Sequence, residues 1–420
     1  MTGWSLTLVG ATLSWWLTGA LRRYALRKNL IDTPNARSSH EVPTPRGGGL
    51  SFVVAFVLAS TVYWALGHLG TAPFAAVVGG GAAVAALGWW DDHADLSRRL
   101  RLVFQFAAAG WALAWLGGVP TIPVGPWTID AGYVPAVVAL VAIVWLINLY
   151  NFMDGIDAIA GLQAVAVASG AALILASNGA YAHATWSVIL ASTVAGFLVW
   201  NWPPARIFMG DAGSAFLGFV LVAMALGTAH AEAISVWSWI ILLGVFLVDA
   251  TVTLLTRMIR RERWFDAHRE HAYQHAARAM GSHRPVSLGV AAIDLLWLLP
   301  FAWLADTYET SAWWITLAAY APLIAASVWL RAGRPDSDSS GTSTDANRSD
   351  EICASIRSVA RSAGQDSERI RKFAEPEAEP DVHRPDVVRE RITDGSEAEV
   401  DEDGRRSRAH SGQGSFPPRQ

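Results

Sequence analysis

Long apolar runs broken by short polar turns dominate the first 331 positions of this 420-residue chain. The stretch Tyr133–Tyr150 carries no charged side chain, ends in a polar cluster, and is followed by a second apolar run from Ala158 to Ala176. A helix rising 1.5 Å per residue needs about twenty apolar residues to cross a hydrocarbon core of about 30 Å. Eleven segments approach that requirement, at roughly 3–21, 50–67, 73–90, 102–118, 133–150, 158–177, 183–200, 213–230, 235–257, 286–305 and 312–330. The pattern predicts an all-α, polytopic membrane protein with about eleven transmembrane helices. The first run, Trp4–Leu21, has no basic start and no evident cleavage site. It is expected to be a retained helix rather than a signal peptide.

Charge orients the segments. Loop 22–49 holds Arg22, Arg23, Arg27, Lys28, Arg37 and Arg46, and loop 258–285 holds six more arginines. The alternate loops near 68–72, 119–132, 178–182, 231–234 and 306–311 contain no Lys or Arg. By the positive-inside rule the N-terminus is expected outside, and the basic loops and the C-terminus in the cytoplasm. Twenty-one tryptophans fit a chain with many membrane–water boundaries. Past residue 331 the character changes: residues 332–420 hold 14 Lys/Arg against 19 Asp/Glu and few large apolar side chains. Two parts are expected, an integral membrane domain at 1–331 and a disordered polar cytoplasmic tail at 332–420. The sole cysteine, Cys353, lies in that tail, so no disulfide framework exists within one chain.

The groups with chemical potential collect in the basic loops. The turn Asn148-Leu-Tyr-Asn151-Phe-Met-Asp154-Gly-Ile-Asp157 joins two apolar runs and is dense in the oxygen ligands that magnesium takes. Loop 22–49 carries Asp32-Thr-Pro-Asn-Ala-Arg37-Ser-Ser-His40 and Pro45-Arg46-Gly-Gly-Gly49. Arginine and close-approaching glycine backbone suit phosphate, although a solvated basic loop reads the same way. Asp91-Asp92 ends the third segment; paired carboxylates call for a cation nearby, while acids also commonly mark a helix entering water. Asp211 stands between Gly210 and Gly213 at a helix start, where anions, metals or a simple cap are all accommodated, and Ser214 reads best as the cap. His268, His271 and His275 recur at helical spacing beside Arg269. With no thiolate among them zinc is disfavoured, which leaves contacts to phosphates and sugar hydroxyls or a surface amphipathic helix. Asp249 and Asp294 lie inside apolar segments, where a carboxylate is costly. Asp249 is expected to reach the site or to bond a neighbouring helix, and Asp294 to make a structural contact or line a water-filled crevice.

These stretches, together with Phe208-Met-Gly-Asp-Ala-Gly-Ser214 and His268-Arg-Glu-His271, run in order through residues 1–331. They resemble the motifs of the polyprenyl-phosphate N-acetylhexosamine-1-phosphate transferases. The resemblance implies a bacterial inner-membrane enzyme with its active site on the cytoplasmic face. Undecaprenyl phosphate would attack a UDP-N-acetylhexosamine, UMP would leave, and the undecaprenyl-diphosphate sugar would start O-antigen or another surface polysaccharide. Asn151 and Asp211 are the implied contacts for magnesium, with manganese as the alternative ion. Asp91, Asp92, Asp154, Asp157 and Asp211 are the implied catalytic set. Arg37, His40, Arg46, Asn148, Asn151, Arg206, His268, Arg269 and His271 are the implied substrate contacts. Partners are the two substrates and membrane lipids, with a homodimer as one assembly and no nucleic acid. One departure stands out: the peptidoglycan branch carries consecutive histidines where this chain has His-Arg-Glu-His, which argues against a muramyl-pentapeptide substrate. The competing readings are a membrane transporter and a catalytically silent lipid-phosphate-binding relative. Transporters favour acids near the midplane, whereas these acids cluster at helix ends.

Overall fold

Helices form wherever the apolar runs stand, because backbone groups inside a bilayer must be satisfied within their own segment. A computed structural model describes residues 3–33, 42–94, 96–262 and 268–335. In chain order its main helices are α1 (Gly3–Arg27), α2 (Leu50–Ala65), α3 (Thr71–Ala94), α4 (Arg98–Leu116), α5 (Tyr133–Met153), α6 (Ile159–Ser177) and α7 (Tyr181–Asn201). They continue as α8 (Asp211–His230), α9 (Val236–Leu242), α10 (Gly244–Ile259), α11 (Ala272–Met280), α12 (His283–Thr307) and α13 (Glu309–Trp329).

All eleven expected segments are helical, but the expected count of eleven spans is not met. Among the described residues seven helices are long and apolar enough to cross a membrane, or eight if the bent pair α9–α10 is one span. The reasons are local. The helix α2 has 16 residues, about 24 Å. The helix α4 opens on Arg98, Arg99 and Arg101. In α1, Thr7, Thr12, Ser14 and Thr18 dilute the apolar run. Between α9 and α10 the chain bends by 71° at Leu243.

At the centre stands α8, whose hydrophobic stretch is 89% buried. It packs between α3 and α5, while α7 packs against both α1 and α6. Phe52, Phe197, Phe216 and Phe219 fill the space around it and are fully buried. Where α3 crosses the start of α8, Gly88 is required: a Cβ there would lie 2.6 Å from the Asp211 backbone. That crossing sets the end of α3 beside the beginning of α8.

Two small hairpins complete the fold. The strands β1 (Ile31–Asp32) and β2 (Thr44–Pro45) pair antiparallel, Ile31 opposite Pro45. The loop after β2 is stitched to the chain before α8: Phe208 N donates to Pro45 O at 2.8 Å, Gly48 N to Phe208 O at 2.9 Å and Gly49 N to Met209 O at 2.8 Å. The second hairpin, β3 (Ile122–Val124) and β4 (Trp127–Ile129), sits between α4 and α5. The expected tail, apart from its first few residues, lies outside the described residues, as do Arg37 and His40.

Candidate active site

The ends of α3, α5 and α7 and the starts of α8, α11 and α12 meet around a cavity of about 270 Å³. Asp32, Asp92, Asp154, Asp157 and Asp211 line it, with Arg46, Asn151, Asn201, Gln274 and His283. Six of the expected site residues are therefore brought together: Arg46, Asp92, Asn151, Asp154, Asp157 and Asp211.

Each is fixed by a local cause. The two Asp92 oxygens face the backbone N–H groups of Asp211 and Ala212 at 3.4 and 3.5 Å, so this carboxylate covers the open N-terminus of α8. Gly210 turns the chain there with φ +76°, and a Cβ on it would lie 2.9 Å from Asp92 Oδ2. Arg46 Nη2 donates to the Asp92 carbonyl at 2.7 Å, which holds the guanidinium at the rim. The Asn151 amide faces the Asp211 carboxylate. Asp157 Oδ2 accepts from Ala205 N at 3.0 Å and lies 3.3 Å from His283 Nδ1, tying the turn after α5 to α12. Burial, then the neighbouring Asp211, Asp157 and Asp92 charges, push the Asp154 carboxyl well above the usual carboxylate range.

The other expected residues fall elsewhere. Asp91 does not line the cavity but stands against the Asp211 carboxyl, within hydrogen-bond reach of it. It accepts from Leu96 N at 2.8 Å and pairs with Arg101 at 2.7 Å, and Arg101 also reaches to 4.0 Å from Asp211. Asn148 donates to Gln105 Oε1 and to Val144 O, both at 2.8 Å, and bridges α5 to α4. Arg206 lies over the Trp200 ring, 5.9 Å from its centroid. His271 is 3% exposed and lies against Asp249. His268 stacks on His271 with ring centroids 5.0 Å apart, and its Nδ1 has no hydrogen-bond partner. Burial, with His271 and Arg257 nearby, lowers the His268 imidazole to about 3. Arg269 lines a second cavity of about 810 Å³, together with Arg278, His283 and Arg284. The two cavities share Asp157, Phe208, Gln274 and His283. Asn201, Gln274 and His283 escaped the sequence reading, because isolated polar residues near helix ends carry no spacing signal.

The donor set suits a hard divalent ion. Apart from the His283 ring, the side-chain ligand atoms lining the cavity are carboxylate and amide oxygens, and five carboxylates stand there beside Arg46. Among the described residues no three His, Cys, Asp or Glu side chains close around one point. Magnesium takes such oxygens, keeps waters and substrate phosphates, and needs only one or two protein carboxylates. Asp211 and Asn151 are the pair that fits this role.

Known proteins share this arrangement of sequence. The family model described as glycosyl transferase family 4 matches residues 74–229. A probable undecaprenyl-phosphate N-acetylglucosaminyl 1-phosphate transferase of Bacillus subtilis is 28% identical over 72% of this chain and 83% of its own length. A decaprenyl-phosphate N-acetylglucosaminephosphotransferase of Mycobacterium tuberculosis is 31% identical over 70% of this chain and 80% of its own length. A phospho-N-acetylmuramoyl-pentapeptide-transferase of Thermosynechococcus vestitus is 30% identical, over only 40% of this chain and 46% of its own length. With its acidic cavity at the helix ends and these relatives along most of its membrane domain, the chain belongs to the polyprenyl-phosphate N-acetylhexosamine-1-phosphate transferases of glycosyl transferase family 4.

Proposed function

We propose that this protein transfers N-acetylhexosamine 1-phosphate, N-acetylglucosamine first among candidates, from its UDP derivative to undecaprenyl phosphate. The sugar follows the Bacillus subtilis and Mycobacterium tuberculosis relatives described above, both named for N-acetylglucosamine. One observation carries the reading: Asp211 begins α8 inside a cavity where Asn151, Asp92 and Asp154 converge. A phosphate oxygen of the lipid attacks the sugar-bearing phosphorus of the donor. The bond from that phosphorus to the oxygen of UMP breaks, and UMP leaves. No strong base is required, since a phosphate monoester with a second pKa near 6 is largely dianionic at neutral pH.

Catalysis of this kind rests on position and on shielding of phosphate oxygens. Magnesium held by Asp211 and Asn151 would supply charge neutralisation. Arg46 sits at the rim to pair with a phosphate, and Asp92 keeps α8 in register by covering its first N–H groups. The basic second cavity is suited to the anionic nucleotide half of the donor. The positive-inside pattern supports a cytoplasmic site, from which the product would start a cell-surface polysaccharide. The test is transfer by purified protein given undecaprenyl phosphate, magnesium and a panel of UDP-N-acetylhexosamines, with UMP release as the readout. Release that requires both lipid phosphate and magnesium is expected. Folded protein silent with every donor would sink the reading.

A further inference from the structure

Asp249 lies in α10 and is 4% exposed. A carboxylate at that depth is tolerated only where its lone pairs find donors. Here they do. Oδ1 accepts from Ala272 N at 2.9 Å and from Thr253 Oγ1 at 3.1 Å, and lies 3.3 Å from His271 Nδ1. Oδ2 accepts from Tyr273 N at 3.0 Å. The first two N–H groups of α11 thus end on one side chain from another helix, beside a capping box of its own in which Gln274 Oε1 accepts from His271 N at 3.3 Å. The nine-residue α11 is too short to be stable by itself, so its placement depends on such anchors.

From α11 two side chains return to the polar turn after α5. Tyr273 Oη donates to Phe152 O at 3.1 Å and presses on Gly155, where no Cβ fits. Gln274 lines both cavities, and its Nε2 lies 3.0 Å from where a Cβ of Gly155 would stand. Asn151 immediately precedes the residue whose carbonyl Tyr273 holds, and Asp154 follows it by two.

We propose that Asp249 is a positioning residue for phosphosugar transfer: through the first turn of α11 it sets Tyr273 against the Asn151–Asp157 turn, and so fixes Asn151 and Asp154 relative to Asp211. The inference rests on the transferase reading above. It gives the intramembrane acid a role in rate that lies apart from the phosphates and from the ion. Displacement of reacting groups by about 1 Å costs about a hundredfold in rate.

The test uses full-length protein in lipid bilayers and three variants, Asp249→Asn, Tyr273→Phe and the double variant. Each single change is expected to lower kcat about ten- to hundredfold with KM for the UDP-sugar little changed, the sign of geometry lost at the reacting centre. Because both act through one link, the double variant is expected to lose no more than the worse single one. Multiplicative losses overturn the proposal, as does full kcat in either folded single variant. If Asp249→Asn fails to fold, Tyr273→Phe decides: reduced kcat supports the link and unchanged kcat overturns it. Wild-type protein silent with every donor overturns the transferase reading and this inference with it. Active wild type with an unaffected Tyr273→Phe variant overturns the inference alone.

Discussion

At the scale of residues, two side chains make separable predictions. Asp211→Asn removes the carboxylate that begins α8 and faces Asn151. UMP release is expected to fall at least about a hundredfold, a loss typical of removing one transition-state contact, while the protein remains monodisperse. Retention of full magnesium-dependent turnover would refute the ion assignment. His268 predicts a stability effect. Burial holds its imidazole at about 3 in the folded chain, against about 6.5 when unfolded. The unfolded chain therefore takes up a proton between those values and the folded chain does not. Stability is expected to fall as pH drops from about 6.5 toward 3. His268→Gln should flatten that part of the curve of thermal midpoint against pH. Sequence made Asp154, Asp157 and Asp211 legible, because acids interrupting long apolar runs are conspicuous. It did not show which way several side chains turn. His271 has the spacing of a ligand yet packs against Asp249, and Asn148 shares a turn with Asn151 yet points to Gln105. Such directions are decided by neighbouring helices, which local spacing does not encode.

At the scale of elements, the site depends on how closely α3 and α8 cross. Gly88→Val puts side-chain atoms where the Asp211 backbone runs. It is expected to destabilise the protein by about 1–3 kcal/mol and to lower turnover at least about tenfold by moving Asp92 away from Asp211. Thermal unfolding and UMP release, measured together, check both effects. The helices themselves were read correctly from hydropathy, since long apolar runs have few alternatives in lipid. Their capacity to span was read too generously. A run of 16 residues and a helix opening on three arginines look like spans only when their apolar cores are weighed alone. The 71° bend at Leu243 had only Gly244 beside it as a signal, because the apolar pattern passes through it unbroken.

At the scale of the whole molecule, the membrane domain has an outer limit that can be measured. Gly333 N donates to Glu270 O at 2.7 Å, and Arg334 O contacts His275 Nε2 at 3.1 Å, so the chain just after α13 is tied to α11 and to the loop that precedes it. A chain ended after Pro335 is expected to keep its turnover. A chain ended after Arg331 should lose both bonds and show reduced thermal stability. Membrane orientation is open to the same kind of test. With Cys353 replaced by serine, a cysteine at Asp130 should react with an impermeant maleimide in intact cells, and one at Arg206, three spanning helices further on, only after permeabilisation. The reverse pattern would invert the proposed topology. The walls of the cavity come from Asp32, Asp92, Asn151, Asp211 and Gln274, positions scattered from the first loop to the last third of the chain. Synthesis on the ribosome must therefore run past α11 before any of them can work together. A nascent chain that stalls earlier is inserted in the membrane but inert, unable to release nucleotide or to load a lipid carrier with a sugar it could not hand on.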